Sequence, residues 1–108
     1  MEEKQLRQIL RALREELNTA LGEECVENII LYGSRARGDA RDDSDIDVLI
    51  VLRNNFKYGA MLKKTSRVVA KLSLENDVVI SRAFATRQQY EQSKIPFLMN
   101  VRREGIAV

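Results

Sequence analysis

Histidine is missing entirely from the 108 residues, and no other absence removes as much chemistry. A histidine general base, a histidine metal ligand and any Ser-His-Asp triad are excluded, so metal ions and carboxylates must carry any catalysis. Cysteine is nearly absent as well. Cys25 stands alone, which rules out an internal disulfide and any cysteine metal-binding spacing and points to a cytoplasmic setting. Cys25 itself reads as a small packing residue beside the first strand. No apolar stretch approaches membrane-spanning length and Met1-Glu2-Glu3-Lys4 does not look like a signal sequence, so no membrane association is expected. Neither sign of charge dominates: 18 basic against 16 acidic residues leave +2, too little for a nucleic-acid binder that relies on a broad basic face. Lys63-Lys64 and Arg102-Arg103 are accordingly read as solvated helix faces. There is no low-complexity segment and no internal repeat.

What is present concentrates in one stretch. The run DIDVLIVL from Asp45 to Leu52 is rich in Val and Ile and reads as a buried strand, yet it opens with two carboxylates. Side chains at i and i+2 of a strand leave from one face, so Asp45 and Asp47 are expected side by side at a strand end, with Ile46 and Val48 packed behind. Two anions that close repel, and a hard divalent cation is the usual partner for such a pair. Asp42 and Asp43 lie in the polar stretch from Gly38 to Ser44 and read as solvated loop residues. Upstream, Ile29-Ile30-Leu31-Tyr32 forms a second apolar strand candidate that breaks abruptly at Gly33-Ser34-Arg35-Ala36-Arg37-Gly38. Gly33 lets backbone approach a ligand, Ser34 offers a hydroxyl, and Arg35 and Arg37 add positive charge. Alone this is a weak signal for phosphate. Followed at ten residues by the carboxylate pair, it supplies both a grip on a triphosphate and ligands for the metal that bridges its oxygens.

Tyr32-Gly33-Ser34, a spacer and Asp45-Ile46-Asp47-Val48 resemble the signature of nucleotidyltransferases of the DNA polymerase β superfamily, and GSRARGDARDDSDID is similar to its short subgroup, the minimal nucleotidyltransferases (MNT). The resemblance implies a third carboxylate from a neighbouring strand. Asp77, at the head of Asp77-Val78-Val79-Ile80, is the expected one and Glu75 its rival. It also implies two-metal-ion nucleotidyl transfer from ATP: Asp45 and Asp47 hold two Mg²⁺ ions, Asp77 completes the site that activates the attacking hydroxyl, and Gly33, Ser34, Arg35 and Arg37 surround the triphosphate. Arg37 has the alternative of pairing with Asp39 or Asp43 and fixing the loop.

The expected fold class is α/β: a small mixed sheet of three to four strands flanked by helices, in a polymerase β-like nucleotidyltransferase arrangement, with residues 1–108 forming one domain. Leu6, Ile9, Leu10, Leu13, Leu17 and Leu21 have helical spacing, which predicts a helix over 3–20 that ends near Gly22. Its leucine stripe has two readings, a core face or a dimer surface. A second helix is expected over 58–72, strands near 26–32, 45–52 and 76–82, a short helix after Thr86 through Tyr90, and a last helix from Pro96 to Gly105 with Ile106-Ala107-Val108 as a tail suited to a short strand. The Arg-Arg-Glu-Gly-Ile ending also resembles MNT proteins.

No acceptor-binding domain is legible, so the acceptor surface is expected from a partner or from other copies of the chain. In the MNT family the resemblance implies a partner of the HEPN type, a small helical ribonuclease toxin silenced by AMP on a tyrosine, which makes this chain the antitoxin. The competing expectations are an antitoxin that blocks its partner by contact alone, and a stand-alone transferase acting on a small-molecule hydroxyl.

Overall fold

A computed structural model describes residues 1–108, and its architecture follows from where the apolar residues fall. Helix α1 (Glu3–Leu21) buries Ile9, Leu10, Leu13 and Leu17 on one face and ends at Gly22, whose φ of 92° few other residues adopt. Leu13 and Leu17 are fully buried among α3 and the sheet, so the stripe is a packing face of this chain's own core. Strand β1 (Val26–Tyr32) leads into the four-residue helix α2 (Ser34–Arg37), and β2 (Ile46–Leu52) follows after a loop. Helix α3 (Tyr58–Asn76) crosses over to β3 (Ile80–Thr86), then α4 (Arg87–Gln92), α5 (Pro96–Glu104) and the two-residue strand β4 (Ile106–Ala107) complete the chain.

The sheet order is β3-β2-β1-β4, with β2 and β3 parallel and the other pairs antiparallel. The crossover through α3 is what a parallel neighbour requires. Alternation along β2 divides the interior: Ile46, Val48, Ile50 and Leu52 face the core beneath α1 and α3, whereas Leu49 and Val51 join Leu98 and Val101 of α5 on the other side. Asp47 shares the α5 side of the sheet. The tail does form a strand, Ile106 and Ala107 pairing with Leu31 and Ile30.

Two boundaries differ from the expected ones. Helix α3 continues to Asn76 instead of stopping at Leu72, because nothing between Ser73 and Asn76 breaks it; Asp77 then takes the left-handed conformation (φ 52°) and its N–H caps Ser73 O. The strand expected over 76–82 therefore starts at Ile80 and runs to Thr86, where Thr86 and Gln89 form a capping box that begins α4. None of the helices is long and apolar enough to cross a membrane.

Candidate active site

Antiparallel pairing places Asp47 directly opposite Tyr32, so the Gly33-Ser34 turn and the aspartate pair meet at one edge of the β1–β2 ladder. Asp45 lies one residue before β2 and is exposed; Asp47 lies within it and is half-buried. Gly33 has φ 75° and ψ −158°, a region essentially reserved for glycine. A Cβ there would also run into Asp47 Oδ2. The turn is thus glycine for two reasons, and its backbone lies against the carboxylate.

The electrostatics follow from this crowding. Burial, then the neighbouring charge of Asp45, raises the Asp47 carboxyl above its ordinary 3.8, with Arg37 acting in the opposite direction. Tyr32 is pushed up to about 12, first by burial and next by the Asp47 charge. Its ring meets Phe97 of α5 edge-on, with centroids 5.4 Å apart, which forms an aromatic wall beside the aspartates.

The loop between α2 and β2 is held by α2. Arg35 turns its guanidinium to this loop, donating to Ser44 O at 2.8 Å and Asp42 O at 3.4 Å, while its buried Nε has no partner. Ser44 Oγ accepts from Arg41 N–H at 2.8 Å and closes the turn that delivers Asp45. Arg37 donates to Asp39 at 3.2 Å and reaches Glu104 at 3.3 Å, the loop-fixing alternative anticipated for it, with Glu104 added and Asp43 not involved. The Asp42 carboxylate meets the N-terminal amine at 3.4 Å, and Asp43 is exposed.

The anticipated third carboxylate is not brought to this pair. Asp77 and Glu75 are exposed at the end of α3, outside the β3 ladder, and no three acidic residues cluster as a metal site. The residue paired with Asp47 across β2–β3 is Ser81, an exposed hydroxyl. Asp45 and Asp47 nevertheless offer only hard oxygen donors around a carboxyl short of solvation, and Mg²⁺ commonly binds through one or two carboxylates plus substrate phosphates. The donor set fits such an ion.

Glu104 was not singled out by sequence. Its carboxylate accepts the Gly33 N–H at 3.1 Å across 71 residues, a separation at which no local pattern could signal it. A cavity of about 860 Å³ lies elsewhere, on the α1 side of the sheet between Leu6, Leu10, Leu31, Arg35 and Ile106.

A family model described as a nucleotidyltransferase domain matches residues 6–104. "Putative protein adenylyltransferase MJ0141" of Methanocaldococcus jannaschii is 30% identical over 105 residues, covering 94% of this chain and 96% of its own. "Putative protein adenylyltransferase MJ0604" of the same organism is 36% identical over 106 residues, covering 96% and 94%. Among solved structures, one described as a putative nucleotidyltransferase from Sulfolobus solfataricus has a TM-score of 0.59 at 18% identity, covering 99% of this chain and 87% of its own, a likeness of fold. Another, described as a putative minimal nucleotidyltransferase, has a TM-score of 0.55 at 25% identity and covers 94% of each chain.

Proposed function

Because the chain belongs to the nucleotidyltransferase domain family, whose model spans residues 6–104, we propose that it transfers AMP from ATP to a hydroxyl of a partner protein. The observation that carries this reading is the Gly33 backbone lying against the Asp47 carboxylate, with the charge of Asp45 beside it. Asp45 and Asp47 would hold divalent metal, with Mg²⁺ the ion suited to their oxygens. The metal supplies charge neutralisation at the triphosphate and a lowered pKa for the attacking hydroxyl.

The remaining work falls to the chain's own groups. Gly33 admits the phosphates by having no side chain, Ser34 offers its hydroxyl at the turn, and Arg35 keeps the Asp42 and Ser44 carbonyls in place so that Asp45 faces the same edge as Asp47. Arg37, exposed and held between Asp39 and Glu104, would turn from one of these carboxylates to meet the triphosphate. Tyr32 and Phe97 give the site an apolar wall on one side. In this assignment Asp77 stays outside the metal site.

A protein acceptor is supported by the names of the two Methanocaldococcus jannaschii relatives, both called protein adenylyltransferases. The cavity lined by α1 opens on the opposite side of the sheet from Asp47. The resemblance to MNT proteins further supports a tyrosine of a HEPN-type toxin as the acceptor, this chain being its antitoxin in the cytoplasm. The test is to incubate the chain with α-labelled ATP, Mg²⁺ and a HEPN-type partner, beside the Asp45→Asn/Asp47→Asn double variant. Label on the partner that vanishes in the double variant is the expected result. A tight complex without label in both proteins overturns transfer and assigns inhibition by contact.

A further inference from the structure

Gly33 is held in its unusual conformation by a residue from the far end of the chain. Glu104, the last residue of α5, accepts the Gly33 N–H at 3.1 Å through Oε1 and takes Arg37 Nη1 at 3.4 and 3.3 Å through its two oxygens. The Glu104 side chain is only 19% exposed, although the Arg37 side chain it meets is 47% exposed. Its placement is built into the fold. Leu98 and Val101 anchor α5 in the core, Phe97 meets Tyr32, and at Gly105 a Cβ would strike Ile30 Cγ2 and Val101 O, so only glycine lets the helix end this close to β1.

We propose that Glu104 is a positioning residue for the nucleotide site, bracing the Gly33-Ser34 turn and Arg37 in the geometry that takes the triphosphate. The inference rests on the nucleotidyl-transfer reading above. A backbone in a glycine-only region persists only where its surroundings over-determine it. A half-buried N–H without an acceptor is costly, and a carboxylate acceptor makes the stronger kind of hydrogen bond. Placing an anion next to a triphosphate is unfavourable by itself, but Arg37, shared with Asp39, offsets part of its charge and α5 keeps it seated on the backbone. Glu104 acts through Gly33 and Arg37 and touches no reacting atom.

Two measurements on the full chain decide the matter: calorimetric binding of ATP with Mg²⁺, and hydrogen exchange of the Gly33 amide in ¹⁵N-labelled protein without nucleotide. Glu104→Ala is expected to weaken ATP binding about tenfold or more and to speed Gly33 exchange by a similar factor. Glu104→Gln, which keeps an oxygen acceptor for Gly33, is expected to hold both within about threefold of wild type. Tighter ATP binding by both variants overturns the proposal, because the carboxylate would then be a rival of the phosphates. Unchanged Gly33 exchange in Glu104→Ala, with wild type binding ATP, overturns the brace and leaves nucleotidyl transfer standing. Faster exchange in Glu104→Ala, with no ATP binding by wild type, overturns the nucleotide role and with it the transfer reading, since the brace is then purely structural.

Discussion

Asp47 is in a position where function and stability oppose each other. Its carboxyl is raised above 3.8 in the fold, so the folded chain binds that proton more tightly than the unfolded chain does. Stability is therefore greatest below the unfolded value and declines as pH rises through the raised folded one. Asp47→Asn is expected to abolish transfer and yet stabilise the metal-free chain above about pH 4 by roughly 0.5 kcal/mol, a small figure because solvent screens a partly exposed group. Thermal unfolding of both proteins at pH 3 and pH 7 checks it: the gap should be present at pH 7 and shrink at pH 3. Gly33→Ala is the opposite case. With φ 75° and Asp47 Oδ2 in the way of a Cβ, it should cost about 2 kcal/mol or more, read by denaturant unfolding, and transfer should fall with it. Both residues were legible in the sequence, since acids heading an apolar run and a glycine ending one are local anomalies. Glu104 was not, because its partner lies 71 residues away.

Among the elements, β1, β2, α1 and α5 were readable because apolar spacing and Gly or Pro punctuation agree with one another in those stretches. The end of α3 was not. An acid before Val78-Val79-Ile80 looks like a strand head, but Asp also caps helices in the left-handed conformation, and here that alternative wins. The consequence is testable at Asp77, which the overrunning helix keeps out of the β3 ladder. Asp77→Asn is expected to retain transfer activity within about threefold of wild type, since Asn also tolerates the left-handed cap. Asp45→Asn, measured beside it with the same labelled ATP, is expected to lose at least about a hundredfold, the scale of removing a charge that organises phosphoryl transfer.

For the molecule as a whole, ligand binding and folding are linked through the aspartate pair. ATP with Mg²⁺ at a hundred times its dissociation constant adds about 2.7 kcal/mol to the stability of the species that binds it, which for a domain of this size raises the melting temperature by roughly 10 °C. Wild type is expected to show that shift by scanning calorimetry, and the Asp45→Asn/Asp47→Asn variant to show little of it. The α/β class, the Gly33-Ser34 turn, the Asp45–Asp47 pair and the exclusion of histidine chemistry are written locally in the chain, because each rests on residue type and spacing within a few positions. It took the folded arrangement to show that the leucine stripe of α1 is core, that Ser81 and not Asp77 stands beside Asp47, and that Glu104 closes onto Gly33. Those are facts of strand register, helix length and long-range packing, which depend on how distant segments compete for the same space and which no local pattern encodes.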